Sequence, residues 1–241
     1  MNNIEIQYCF RFEDNSCETI DFNIDGKTLE LANPLPENPP AWVNLDFHQC
    51  SHCPLNSEKS PHCPLAIRLV DVVKLFDRIS SYQQLSVEVI TEERHMTQNT
   101  TAQRGLSSLM GMIIATSGCP HTTFFKPMVR FHLPFATEEE TLFRASATYL
   151  LAQYFINKQG GKADFELTGL KKVYENIQII NTSIARRLRE ASISDASINA
   201  LVLLDLFAVN MPYVIEESLE EFQYLFESYF LEISSAKDTR M

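Results

Sequence analysis

The sequence predicts an α+β fold, in which a β-rich N-terminal part with two helices and a Cys/His-rich loop precedes a C-terminal helical bundle. Two observations carry this. Apolar residues alternate at period two through much of the first 47 residues, whereas from Thr137 onward they recur at helical spacing between helix-start and helix-stop residues. A boundary near Phe135 divides the chain into an α+β metal-binding part, 1–135, and a helical part, 136–241. The two are free to share one core.

In order, Ile4-Glu5-Ile6-Gln7-Tyr8 alternates as a strand, and the polar run Glu13-Asp14-Asn15-Ser16 supplies a turn. Glu18 to Ile24 follows as a second strand, and Asp25-Gly26 turns the chain into Thr28 to Leu31. A proline-rich connection, Asn33 to Pro40, leads to a further alternating piece, Trp42 to Phe47. Pro64 suits the first position of a helix that carries Leu65, Leu69, Val72, Val73, Phe76 and Ile79. Leu85 to Ile90 reads as a strand. Thr100 with Gln103 has the form of a capping box before Leu106, Leu109, Met110, Ile113 and Ile114, and Gly118 stops that helix. Thr137 with Glu140 opens the next helix, which runs to Gly160-Gly161. Helices from about Thr168 to Ala191, Asp195 to Ile215 and Ser218 to Phe230 complete the bundle, with Pro212 placed to kink or divide the second of these.

Composition removes several function classes. Hydrophobic residues make up 45% of the 241, enough for a sizeable core. Twenty basic against 31 acidic residues give a net charge of −11, which argues against nucleic acid as a partner. Arg186, Arg187 and Arg189 form the best basic cluster and read as one solvated helix face. The longest apolar run, Ala200 to Val209, is broken by Asp205, so no membrane span is expected. The N-terminus lacks a basic segment followed by an apolar one, and a cytoplasmic location is the expectation.

Six cysteines are too few for a disulfide scaffold, and in a reducing compartment grouped cysteines are more often metal ligands. Cys9 and Cys17 flank the first turn and read as ordinary strand residues. The other four crowd with histidine into His48-Gln49-Cys50-Ser51-His52-Cys53, His62-Cys63 and Cys119-Pro120-His121. Cys50 and Cys53 form a Cys-x-x-Cys pair able to chelate one ion, Cys63 opens a helix, and Cys119 is remote in sequence. These four are the expected ligands of a zinc ion, with His48, His62 and His121 as substitutes or supporting groups. Three of the cysteines precede proline, as at some cluster ligands, which makes an iron–sulfur cluster the alternative cofactor; the irregular spacing favours zinc.

Weaker signals lie elsewhere. Lys126, Arg130 and His132 sit among aromatics and suit a pocket for an anion, although alternation in a half-buried strand explains them equally well. Glu92-Glu93-Arg94-His95 reads as a solvated strand end. No G-x-G-x-x-G, Walker-type loop, H-E-x-x-H or G-x-S-x-G is present. The reading that follows is a metal-stabilised protein with a regulatory or interaction role, its helical half offered to a protein partner. The alternative is a redox enzyme using the same cysteines, either through an iron–sulfur cluster or through the thiols.

Overall fold

The computed structural model describes residues 2–191, 195–217 and 219–238. Strands β1 (Ile4–Phe12), β2 (Cys17–Ile24), β3 (Gln84–Thr91) and β4 (His95–Thr101) form one antiparallel sheet in the order β2-β1-β3-β4. Alternation decides its faces: Ile6, Tyr8 and Phe10 of β1 and Leu85, Val87 and Val89 of β3 are buried, while Glu5 and Arg11 are exposed. The β1–β2 turn is tied by Asp14, whose carboxylate accepts from the Ser16 backbone N–H at 2.9 Å.

Helices cover the inner face. After α1 (Pro64–Arg68) and α2 (Val70–Phe76), α3 (Ala102–Thr116) lies against the sheet. Gly105 permits the close approach, because a β-carbon there would stand 2.8 Å from Val87 Cγ2 and 3.0 Å from the Phe10 ring. Phe10 in turn meets Phe76 edge-on with ring centroids 4.8 Å apart. The helix from Pro64 is therefore two short pieces meeting at Leu69, both contributing fully buried side chains. Each such Leu, Val or Phe contributes about 1.5–3 kcal/mol on leaving water.

The helical part comprises α4 (Lys126–Arg130), α5 (Glu138–Lys158), α6 (Thr168–Ala191), α7 (Ala196–Glu217) and α8 (Glu227–Asp238). The capping box before α5 is formed: Thr137 Oγ1 accepts from Glu140 N at 3.1 Å, and Glu140 Oε2 accepts from Thr137 N at 2.8 Å. Gly118 and Gly160 take the positive φ that follows α3 and α5. Helix α7 packs on α3 and α6 and runs through Pro212 as one helix. By length and composition alone it is apolar enough to cross a membrane, with mean hydropathy 1.8. Buried apolar side chains of the sheet and of the helices form one continuous cluster. The architecture is thus α+β, an N-terminal antiparallel sheet followed by a mostly helical part.

Several elements differ from expectation. Trp42 to Phe47 is not a strand: Ala41–Val43 is a 3₁₀ turn, and Asn44 makes a single bridge to His62. Thr28 to Leu31 reduces to one bridge, Ile24 to Leu31. Thr100 belongs to β4, so Thr101 stands at the start of α3 without a side-chain capping bond. Strand β4 itself, His95-Met96-Thr97-Gln98-Asn99-Thr100-Thr101, is an edge strand with little apolar alternation to announce it. The expected helix start at Ser218 lies outside the described residues; Leu219–Phe226 is a 3₁₀ helix leading into α8.

Arg187 is the largest correction of side-chain placement. Arg186 and Arg189 are exposed, but Arg187 is 2% exposed. Its Nη1 donates to the carbonyls of Trp42 and Asn44, each at 2.7 Å, and Nη2 donates to Leu45 O at 3.0 Å. A planar fork that satisfies three backbone acceptors joins α6 to the 3₁₀ segment. Cys9 and Cys17 are also not free strand residues; they form a disulfide across the β1–β2 hairpin.

Candidate functional site

The four loop cysteines do approach one another. Cys50, Cys53, Cys63 and Cys119 are unpaired by disulfides and partly buried, and a charge on any of the other three would be felt at Cys119. Cys63 N donates to Val43 O at 2.8 Å, and Cys53 N donates to Cys50 O at 3.0 Å, which closes the Cys-x-x-Cys turn. Burial, only partly offset by hydrogen bonding, pushes the Cys119 thiol up to about 12 and shifts Cys50 in the same direction. Both are therefore neutral thiols near pH 7 in the metal-free chain.

The histidines are engaged elsewhere. His48 Nε2 lies 2.7 Å from Glu190 Oε1, and His62 is half-buried beside its bridge to Asn44. His121 Nε2 lies 2.9 Å from the His52 carbonyl oxygen, and the His52 and His121 rings stack with centroids 4.0 Å apart. Among the described residues no group of three or more His, Cys, Asp or Glu side chains is arranged to hold a metal ion. The zinc site expected at Cys50, Cys53, Cys63 and Cys119 is thereby overturned, with its substitutes His48, His62 and His121, and the iron–sulfur alternative falls on the same finding. The metal-stabilised regulatory protein built on that site falls with it.

The segment carrying Lys126, Arg130 and His132 is helical rather than extended, comprising a 3₁₀ turn over Pro120–Phe125 and then α4. Lys126 Nζ is bound to Glu30 Oε1 at 2.8 Å and to Thr28 O at 2.9 Å, and Arg130 lies 3.7 Å from Glu93. His95 approaches Glu88 at 3.9 Å, and Arg94 closes a turn through its backbone to Thr91. Of the three residues, His132 alone lines the principal cavity.

That cavity, about 670 Å³, lies between α3, α4, α5, α6 and α7. Its existence follows from the sequence of α3. Arg104, Ser107, Ser108, Gly111 and Ala115 recur at helical spacing on one face, and the four after Arg104 carry small side chains. Leu106, Leu109, Met110 and Ile113 are the face's fully buried counterparts. Phe125, Met128, Leu203, Leu204 and Phe207 supply apolar wall from the neighbouring elements. Volume and composition both fall in the range of small-molecule sites.

One end of the cavity is polar and ordered. Phe135 N donates to Ser108 Oγ at 3.2 Å, Ser108 Oγ lies 3.1 Å from Tyr8 Oη, and Tyr8 Oη lies 2.7 Å from His132 Nε2. Only the Phe135 N–H has a fixed role, as donor to Ser108; the Ser108 hydroxyl can accept a second bond as well as donate one, so the Ser108–Tyr8 and Tyr8–His132 contacts run in the direction that the His132 tautomer selects. Burial, followed by the charge of Arg144, lowers the His132 pKa to about 4, which keeps the ring neutral. Burial raises Tyr8 well above the usual phenol range, so it keeps its proton.

Deeper in the wall, Tyr174 (3% exposed) has a hydroxyl without a hydrogen-bond partner, and Asn181 (1% exposed) has a free Oδ1. Asn181 Nδ2 is used, donating to Asp205 Oδ1 at 3.2 Å; Asp205, the residue that breaks the apolar run of α7, thus serves α6. Arg144 of α5 also lines the cavity. Its Nη2 donates to Met128 O at 2.9 Å and Phe131 O at 3.0 Å, and burial lowers its pKa. The sequence pointed to His132 but to none of Tyr8, Ser108, Arg144, Tyr174 or Asn181. Ser108 stands beside Ser107 and Asn181 beside Thr182, so the sequence carries no signal that singles these residues out.

Fold and site together describe an α+β protein with a polar-ended cavity beside its sheet. Residues 6–227 match the family described as a domain of unknown function, DUF6901, and the chain belongs to that family. No curated protein and no solved structure matches the chain.

Proposed function

We propose that this protein binds a small, largely apolar molecule with a polar end, in the cavity between α3 and the helices of the C-terminal part. The observation that carries this is the cavity itself, about 670 Å³, with apolar wall from Phe125, Leu204 and Phe207 and with His132 and Ser108 at one polar end. The apolar wall provides affinity by excluding water, and the polar end orients the ligand.

The test is titration with Nile red, a neutral dye that brightens in apolar surroundings, beside a Gly111→Leu variant. A β-carbon at Gly111 meets nothing closer than Leu204 Cδ2 at 3.7 Å, so leucine enters the cavity without displacing backbone. Saturable binding near one dye per chain, lost in the folded variant, is expected. Dye binding that is absent in the native protein, or equal in the variant, overturns the reading.

A further inference from the structure

We infer that two copies of this chain pair through the outward face of α5, antiparallel and related by a two-fold axis. Helix α5 holds the body with Leu142, Ala145, Ser146, Tyr149 and Gln153, all buried. Its opposite side is not the polar surface that such a helix turns to water. Phe143, Leu150 and Tyr154 are 41%, 38% and 48% exposed there, and Ala147 is exposed between them. Leu151 and Phe155, exposed as well, flank this row. Glu139 and Lys158 stand exposed at its two ends. Positions 139, 143, 147, 150, 154 and 158 are three or four apart, so they share one helical face.

The row is complementary to itself when reversed. About the midpoint between Thr148 and Tyr149, Glu139 is the counterpart of Lys158, Phe143 of Tyr154, and Ala147 of Leu150. Two copies laid antiparallel therefore set ring against ring, a small side chain against a large one, and an anion against a cation at both ends. A parallel pair would set Glu139 on Glu139 and Lys158 on Lys158. Lys158 is already held at the end of the row, 5.5 Å from the centroid of its own Tyr154 ring. The end charges also suit the dipole of α5 by themselves; the exposed apolar row between them is what a partner would cover.

A second element continues the row. Phe222 of the 3₁₀ helix meets Phe143 edge-on with centroids 5.7 Å apart, and Tyr224, Phe226 and Tyr229 beyond it are exposed. They extend the apolar surface toward the roughly 800 Å² per copy of a standard interface. A lipid surface fits these elements poorly. Glu138, Glu139 and Glu140 at the start of α5, and Glu220, Glu221 and Glu227 along the C-terminal segment, are exposed where a helix lying on lipid carries Lys and Arg.

The experiment is sedimentation equilibrium of the full chain over about 1–100 µM, a range that brackets a micromolar dimer. It is run on the native chain, on Leu150→Glu, on Glu139→Lys, on Lys158→Glu, and on the chain carrying both charge reversals, with circular dichroism to show that each folds. A native dimer is expected. Leu150→Glu should be monomeric throughout, because it sets a carboxylate against the partner's Ala147 beside the two-fold axis. Each single reversal brings like charges together at both symmetry-related ends and should weaken pairing about threefold or more. The double reversal restores opposite charges and should return to within about twofold of native. A native chain that is monomeric throughout overturns the inference, and so does a dimer that Leu150→Glu leaves intact. Single reversals without effect, or without recovery in the double, overturn the antiparallel register. Should Leu150→Glu not fold, the charge reversals decide. A native monomer that pellets with phosphatidylcholine vesicles, and no longer does so as Leu150→Glu, would overturn the pairing and assign the row to a lipid surface.

Discussion

The Tyr8 hydroxyl lies 2.7 Å from His132 Nε2, although 124 residues separate the two in the chain. This contact ties the sheet to the segment after α4 and holds the orientation of an imidazole in the cavity wall. Its consequence is a dependence of stability on pH. The folded His132 titrates near 4, against 6.5 for an unperturbed histidine, so between those values the unfolded chain binds a proton that the folded one refuses. Stability from this group is full above about pH 6.5 and is lost progressively as pH falls toward 4, by on the order of 3 kcal/mol. Urea unfolding at pH 7 and at pH 4.5 should show a smaller fall in His132→Asn than in the native protein. Equal falls would remove His132 as the cause.

Tyr8→Phe tests the same chain from its other end. It removes a fully buried hydroxyl and leaves both Ser108 and His132 short of a partner, a loss of about 1–3 kcal/mol. Denaturant midpoints measured at pH 7 check it. A loss below about 0.5 kcal/mol would mean that water replaces the hydroxyl at no cost.

Arg187→Met should destabilise by about 3 kcal/mol or more, since three carbonyls lose a charged donor while the aliphatic stem is retained. Arg187→Lys should recover only part of this, because a single ammonium does not reproduce the fork. Arg186→Met, on an exposed neighbour, is expected within about 0.5 kcal/mol of the native protein.

Alkylation in denaturant without reductant, followed by mass spectrometry, should label four cysteines and leave Cys9 and Cys17 joined. Closing a loop across 8 positions corresponds to about 2.5 kcal/mol by loop entropy, and this should be lost in a Cys9→Ser, Cys17→Ser double variant. Six labelled cysteines under the same conditions would contradict the bridge.

Gly105→Ala should cost about 1–3 kcal/mol by overpacking, because its methyl group meets Val87 and the Phe10 ring, both fully buried. Gly111→Ala in the same helix should stabilise by up to about 1 kcal/mol, since nothing crowds it. Opposite signs from two glycines six residues apart would separate packing from propensity.

Much of the fold was legible where periodicity and end signals agreed. Thr137 with Glu140 marked α5, and the apolar spacing from Thr168 to Ala191 delimited α6. Alternation in Ile4 to Tyr8 marked β1 and its inward face. The misses share a physical cause. Strand β4 is a polar edge held by backbone bonds to β3, a kind of pairing that leaves little trace in side-chain pattern. Trp42 to Phe47 alternates yet lacks a neighbouring strand, and its carbonyls are satisfied instead by Arg187. At the site, the burial of Cys50 and Cys119 was not legible in their grouping, because it depends on elements distant in sequence. The cavity was hidden for a related reason: small residues on α3 become a void only once α7 stands opposite.

The grip of Arg187 also sets an order of events on a growing chain. Trp42, Asn44 and Leu45 precede it by 142 to 145 residues, so these residues leave the ribosome long before the side chain that will hold them exists. Until α6 arrives, the 3₁₀ segment keeps its carbonyls toward water, and the cysteine loop that follows it is anchored at its near end by less than its final set of bonds. Closing so long a loop is slow relative to forming local helices. The N-terminal half is thus the part made first and the part finished last.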